Sequence, residues 1–330
     1  MLSVLVGVAI VLIILQYVGW GNVVREFTAL GWLGFLAFTV DITLTILLWT
    51  LSWRIILNAY GIRRPWSRVF QARLSGFAIT YLTPSLYLGG EPVRAYLLAD
   101  ERSSPARLLA TVIVERFLAG LSLICFIYLG IFHLIASETL PFSQKSLILL
   151  AVFSFSLINL LIFLNFSQKR LWFTRLMAGL RKYLPGKRFL ERAEEVARQI
   201  ENDIHKAFKH HARQTLVAFI VHLIATFFMY LRPQIFFYFT KGITLSLAEL
   251  SLVYLLNFFL SALLWITPGG IGVAEGGQIG ILKLVGIEEG GAVAFAFMTK
   301  AVELSFVGLG ILYMVRIGML HRFFKERRSS

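Results

Sequence analysis

Nine ionisable side chains inside long apolar runs stand out as candidates: Asp41, Arg73, Glu91, Arg94, Glu115, Arg116, Glu275, Lys300 and Glu303. A charge at the centre of a bilayer costs about 2.5–3.5 kcal/mol on insertion scales. Such residues must be paired, wetted or put to use. Four of the nine are cations and five are carboxylates, so nearly all can pair. Cations held at depth can also bind an anion. A phosphate is the natural one, because a guanidinium presents two parallel donors to it. Carboxylates beside those cations can neutralise them or carry protons.

Two groups of these residues share one spacing. Tyr81-Leu82-Thr83-Pro84 is followed by Gly89-Gly90-Glu91, and Trp265-Ile266-Thr267-Pro268-Gly269-Gly270 is followed by Glu275-Gly276. Thr to Glu is eight residues in both, Glu91 precedes Arg116 by 25 residues, and Glu275 precedes Lys300 by 25. Both cations fall in the next apolar run. Residues 269–277 hold five glycines in nine positions, which reads as a break in a helix at membrane depth. The Gly-Lys-Ser/Thr ending of a nucleotide loop is missing, so nucleotide binding is not expected.

The glycines before Glu91 place Glu91 and Arg94 at the start of a half-helix. Free N–H groups and the positive dipole end make such a start an anion site. The competing assignment for Glu91 is a simple helix cap. Glu115 and Arg116 are adjacent in a helix and therefore face different partners. Glu303 lies three residues after Lys300 and can pair with it. Arg73 stands near a helix end, where it is expected to snorkel. Asp41 is either a wetted residue in the outer third or a used one. The candidate substrate-binding set is therefore Glu91, Arg94, Glu115, Arg116, Thr267, Pro268, Gly269, Gly270, Glu275, Lys300 and Glu303. His205, His210 and His211 read as solvated surface histidines, so no metal and no cofactor is expected. Cys125 is the only cysteine, which excludes an internal disulfide and a cysteine metal cage.

These residues need elements that cross a membrane. Apolar residues make up 58% of the 330, and charged residues only 15%. A soluble chain of this length would be about a quarter charged. The apolar runs are 2–18, 30–57, 69–98, 107–135, 146–165, 213–239, 247–286 and 291–316. About 20 helical residues cross a bilayer core of ~30 Å, and backbone in lipid must satisfy itself, so helices are expected. The run Leu147 to Leu164 does not alternate, which argues against a β-barrel. Met1 to Tyr17 has no basic lead-in and reads as a retained first transmembrane helix rather than a signal peptide.

Basic residues set the orientation. The net charge of +14 is concentrated in loops, which follows the positive-inside rule and does not suggest nucleic acid. Residues 166–213 hold twelve Lys/Arg against five Asp/Glu, and the tail from Arg316 holds five basic residues and only Glu326. Both are expected in the cytoplasm, as is 54–68. Loops 136–146 and 286–290 are expected outside. Segment 69–98 then enters and leaves from inside, and segment 247–286 from outside. The loop 166–213 reads as a basic, mostly helical stretch punctuated by Pro185-Gly186. The expected architecture is all-α and polytopic, in one transmembrane domain. It has about six full transmembrane helices and two oppositely oriented broken hairpins, with inverted repeat halves at 30–135 and 213–316. Inverted repeats with broken helices at the midplane are a recurring plan of secondary transporters.

Gly89-Gly90-Glu91-Pro92-Val93-Arg94-Ala95-Tyr96-Leu97-Leu98, Val114-Glu115-Arg116, and Thr267-Pro268-Gly269-Gly270-Ile271-Gly272 with Glu275 resemble the lysylphosphatidylglycerol synthase transmembrane family. The resemblance covers nearly the whole chain and implies movement of a lipid with a charged headgroup between leaflets. The chain ends at Ser330 without an aminoacyl-transferase domain, so lipid synthesis is not implied. The expected role is a flippase or transporter in the cell membrane. Its substrate is an anionic or aminoacylated phospholipid or a polyprenyl-phosphate-linked lipid. Partners are lipids with phosphate headgroups and, as an option, further copies of the chain. The alternatives are a membrane enzyme acting on a lipid phosphate, with Glu275 as acid or base, and a scaffold of an envelope or glycosylation complex.

Overall fold

The computed structural model describes residues 20–83, 89–136, 141–183, 187–263 and 270–317, all of them helix or short connection. The eleven helices of those residues are α1 (Trp20–Ala59), α2 (Trp66–Leu82), α3 (Glu91–Leu98), α4 (Pro105–Ala136), α5 (Phe142–Ser167), α6 (Trp172–Tyr183), α7 (Lys187–Lys209), α8 (Ala212–Lys241), α9 (Leu247–Leu263), α10 (Val273–Leu284) and α11 (Glu289–Arg316). Prolines start several of them: Pro65 precedes α2, Pro105 opens α4 and Pro141 precedes α5. Proline suits a helix start because its missing N–H would be unsatisfied there anyway.

Five of the helices are long and apolar enough to cross a membrane: Val24–Ala59, Pro105–Phe132, Phe142–Ser167, Ala212–Lys241 and Glu289–Arg316. The expected first helix at 2–18 lies outside the described residues, as does the tail beyond 317. α5 shows what surrounds the bundle. It buries only Val152, Asn159, Asn165 and Phe166, while Leu147, Leu150, Phe153 and Ile158 stand exposed. A face of that size without polar cover belongs in lipid.

The two interrupted segments are two broken helix pairs, α2/α3 and α9/α10. Ion pairs and hydrogen bonds show where each pair opens. Arg107 donates to the Tyr60 carbonyl at 2.8 Å, and Arg64 reaches Asp100 at 2.7 Å and the Leu98 carbonyl at 3.1 Å. The C-terminal end of α1, both open ends of α2/α3 and the start of α4 therefore lie together. At the other end of α1, Lys241 reaches Glu26 at 3.0 Å and Glu288 at 2.5 Å. Tyr230 donates to the Leu247 carbonyl at 3.0 Å. The end of α8 and the starts of α9 and α11 therefore lie at that end. The first pair enters the bundle from one end and the second from the opposite end.

Each pair has its own apolar core. Val69, Ala72, Ala95 and Leu98 of the first pair pack with Trp53, Ile56 and Leu57 of α1. Leu250, Leu255, Ile279 and Leu282 of the second pair pack with Phe38, Phe236, Phe237 and Phe295. The basic loop is helical as expected and forms α6 and α7; its Pro185-Gly186 punctuation falls outside the described residues. Glu201 fastens the two helices by accepting the N–H groups of Phe173 and Thr174, both at 3.0 Å. α7 lies at the end where the first pair opens, and its Asp203 carbonyl accepts the Tyr60 hydroxyl at 2.5 Å.

Candidate functional site

The first hairpin turns back on itself at very close range. Gly90 donates its N–H to the Thr80 hydroxyl at 3.0 Å. A Cβ on Gly90 would collide with the Gly76 carbonyl and with that hydroxyl, so only glycine fits. This contact presses α3 onto α2 and fixes where Glu91 and Arg94 point.

Glu115 is the centre of a buried polar junction beneath that tip. Its Oε1 accepts from Arg73 Nη2 at 3.0 Å and its Oε2 from Arg94 Nη2 at 2.9 Å. His222 places Nε2 3.1 Å from Oε1. The Arg94 guanidinium lies 4.2 Å from the centre of the Trp53 ring, and Trp53 is anchored through Nε1 to Thr111 at 3.1 Å. Five helices meet here: α1, α2, α3, α4 and α8. Arg73 does not snorkel. It is buried and also donates to the Trp49 carbonyl at 2.7 Å. The reason is steric and electrostatic: α4 carries a carboxylate at its level, so pairing inside is available without reaching for water.

Glu91 takes the neighbouring cation. Its Oε1 accepts both Nε and Nη2 of Arg116, at 2.6 and 2.5 Å. Glu91 is 7% exposed and Arg116 45% exposed, so the pair joins the interior to the surface. Glu115 and Arg116 do have different partners. Glu91 makes no cap bond at the start of α3, and its Oε2 is buried without a hydrogen-bond partner.

The second hairpin closes the equivalent pair. Glu275 Oε1 lies 3.0 Å from Lys300 Nζ, and Glu303 is 3.9 Å from the same ammonium. Glu275 also caps its own helix, since Oε2 accepts the Gly272 N–H at 2.5 Å. Gly272 sits at φ 84°, a left-handed conformation that a side chain would strain. Gly270 is buried beside it, while Thr267, Pro268 and Gly269 lie outside the described residues.

The two tips meet on the last turn of α2. Thr80 holds the first tip through Gly90, and the next residue, Tyr81, lies with its ring 5.1 Å under Lys300. Tyr81, Val93 of α3, Ile271 of the second break and Val307 of α11 share one apolar cluster. Sequence reasoning missed Tyr81, Trp53 and His222, which sit in apolar runs with no local signal. It also missed Arg232, which pairs with Asp41 at 2.8 Å. Asp41 is 2% exposed and ion-paired, so it lies inside the bundle rather than open to bulk water. Among the described residues no cluster of His, Cys, Asp and Glu is arranged to hold a metal.

The chain as a whole matches a known family. The model of the lysylphosphatidylglycerol synthase transmembrane region matches residues 1–310. The chain belongs to this family. Similar curated proteins are archaeal UPF0104 membrane proteins. One from Pyrococcus horikoshii is 22% identical over 321 residues, which are 92% of each chain. One from Methanothermobacter thermautotrophicus is 29% identical over 256 residues, 73% of this chain and 72% of the relative. One from Methanocaldococcus jannaschii is 28% identical over 246 residues, 73% of this chain and 71% of the relative. No solved structure matches the chain with significance. As a member of the lysylphosphatidylglycerol synthase transmembrane-region family, the chain is an integral membrane protein.

Proposed function

We propose that the chain moves a lipid with a phosphate headgroup between the leaflets of its membrane. The observation that carries this is the meeting of two oppositely entering, broken hairpins at one turn of α2, each tip bearing a carboxylate–cation pair. A site between elements that open at opposite ends can be reached from each end in turn by small movements of either pair. Arg116 is the donor for the phosphate: it is half-exposed, and Glu91 takes its Nε and Nη2 but not its Nη1. Lys300 is the second cation. Arg94 and Glu115 are committed to each other, so they hold the first tip in place rather than touch the lipid. The family's name refers to a synthase of a phospholipid, which supports a lipid cargo.

The two halves, 30–135 and 213–316, serve in this scheme as inverted repeats. The enzyme alternative loses ground because Glu275 is ion-paired to Lys300 and its Oε2 accepts the Gly272 N–H.

The test is reconstitution in liposomes with a headgroup-labelled anionic phospholipid, following the fraction reachable by an external quencher. The parent is expected to expose inner-leaflet label far faster than protein-free liposomes. Arg116→Ala and Glu275→Gln are expected to slow it at least about tenfold, the equivalent of ~1.4 kcal/mol. Equal rates for parent and protein-free liposomes would sink the proposal.

A further inference from the structure

Arg54, Arg63, Arg64 and Arg68 fall within fifteen residues that contain no acid. Only Arg64 has a carboxylate partner among the described residues, Asp100 at 2.7 Å. Arg54 leaves α1 in its last two turns. Its guanidinium lies 5.7 Å over the Trp66 ring, and its Nε is buried without a hydrogen-bond partner. A cavity of about 550 Å³ opens at this point, lined by Arg54, Asn58, Arg63, Arg64 and Pro65.

A helix start adds to the positive potential. Pro65 precedes α2, provides no side-chain cap, and the first turn of α2 contains no acidic residue. The first N–H groups of a seventeen-residue helix thus lie at the rim without a capping side chain. Three guanidinium groups, the Asn58 amide and a helix start all border one volume, and the one nearby carboxylate is taken by Arg64. Charge that only sets orientation needs to be on the correct side of the membrane. It does not need a buried, unpartnered Nε over an indole.

We infer that this cavity binds a phosphate group, carried by an acidic lipid headgroup or by a free phosphate compound. Its level fits both sources. Arg54 lies near the end of the span Val24–Ala59, where headgroups sit, and the cavity is open to the outside of the bundle. Its place also matters mechanically. Arg64 ties the base of α2 to the Leu98 carbonyl at the end of α3, so a bound phosphate would bear on the base of the first hairpin. The inference does not depend on lipid transport, because it concerns the base of the hairpin and not the tips.

The test uses the full chain in neutral detergent micelles, with two probes: dioleoyl phosphatidic acid followed by native mass spectrometry, and inorganic phosphate followed by tryptophan fluorescence. Trp66→Phe identifies the part of the fluorescence signal that belongs to the cavity. Arg54→Gln with Arg63→Gln is expected to weaken binding about tenfold, or ~1.4 kcal/mol. Arg102→Gln with Arg213→Gln removes the same charge at the same end and is expected to change it less than about twofold. Lipid adducts that inorganic phosphate fails to displace identify a headgroup as the ligand. A Trp66-dependent response to inorganic phosphate that the lipid fails to displace identifies a free phosphate. Binding of both probes unchanged in the Arg54/Arg63 variant would overturn the inference, and so would an equal loss in the control variant. Arg116→Ala is expected to leave this binding intact, which separates its failure from that of the transport proposal.

Discussion

The two hairpin tips carry the same pair at the same spacing, Glu91 with Arg116 and Glu275 with Lys300, but they stabilise it in different ways. At the first tip three guanidinium groups face two carboxylates, and the surplus is held by a buried junction around Glu115. At the second tip one ammonium faces two carboxylates, and Glu275 also caps its own helix. The first tip therefore carries an excess of positive charge with its donors fixed in direction. The second carries an excess of negative charge around a flexible point cation. The difference teaches that equal spacing fixes which residues pair, while the neighbouring helices decide what the pair can bind. Under the proposed transport, a phosphate would be drawn to the first tip and released at the second.

The largest effect should come from Glu115. Removing a carboxylate from between two buried arginines leaves uncompensated charge, which costs about 3–5 kcal/mol. Glu115→Ala is expected to lower the unfolding midpoint in detergent more than any change at Glu275. Glu275→Gln keeps an acceptor for the Gly272 N–H and loses only the partly exposed Lys300, so about 1–3 kcal/mol is expected. Equal losses at the two positions would break the comparison.

Next come the glycines that shape the tips. Gly90→Ala forces backbone apart, because the new Cβ would meet the Gly76 carbonyl. Overpacking of this kind costs about 1–3 kcal/mol. Gly272→Ala strains one left-handed residue and costs about 1–2 kcal/mol. The sharper contrast is in transport: Gly90→Ala should slow flipping more than Gly272→Ala does, because it moves Glu91 away from Arg116. Liposome flipping rates at matched protein density would check this ordering.

Legibility divides along the same line. The pairs at the tips were legible because each lies within one hairpin and the helix after it, at a separation the repeat displays twice. The junction around Glu115 was not. Arg73 finds its partner 42 residues away and His222 finds it 107 residues away, across helices whose neighbours the sequence does not name. His222 and Arg232 were overlooked inside the apolar run 213–239, where a single polar residue has no periodic signal. Trp53 and Tyr81 are two buried aromatics in a chain that is 14% aromatic, and only the cations above them mark them out. The helices themselves were readable from apolar length. The opposite entry of the two hairpins followed from loop charge, and Arg64–Asp100 and Lys241–Glu288 bear it out.

A smaller effect separates the two cations. Arg116→Lys loses the two-pronged contact and is expected to slow flipping about tenfold, whereas Lys300→Arg should change it less than about threefold, since a point charge is all the second tip requires. A reversal of that order would place the phosphate at the second tip.

The smallest effect is expected at the base of the second hairpin, and it is a pH dependence. Hydrogen bonding and the charge of Lys241 hold the Glu288 carboxyl below the usual carboxylate range. A carboxylate whose folded value is lowered binds fewer protons than the unfolded chain does in acid. Its contribution is therefore present at neutral pH and is lost as pH falls from the ordinary carboxylate range through the lowered value. Glu288 is exposed, so solvent screening keeps the effect small. Glu288→Gln should flatten a small part of the acid-side slope of the unfolding midpoint and leave the neutral value nearly unchanged. Lys241 keeps its second partner, Glu26, in that variant. The ends of α8 and α1 stay fastened while the start of α11 is released, and added salt should erase the difference between variant and parent. A slope that resists both the substitution and salt would mean that the fastening of the second base is carried by Glu26 alone.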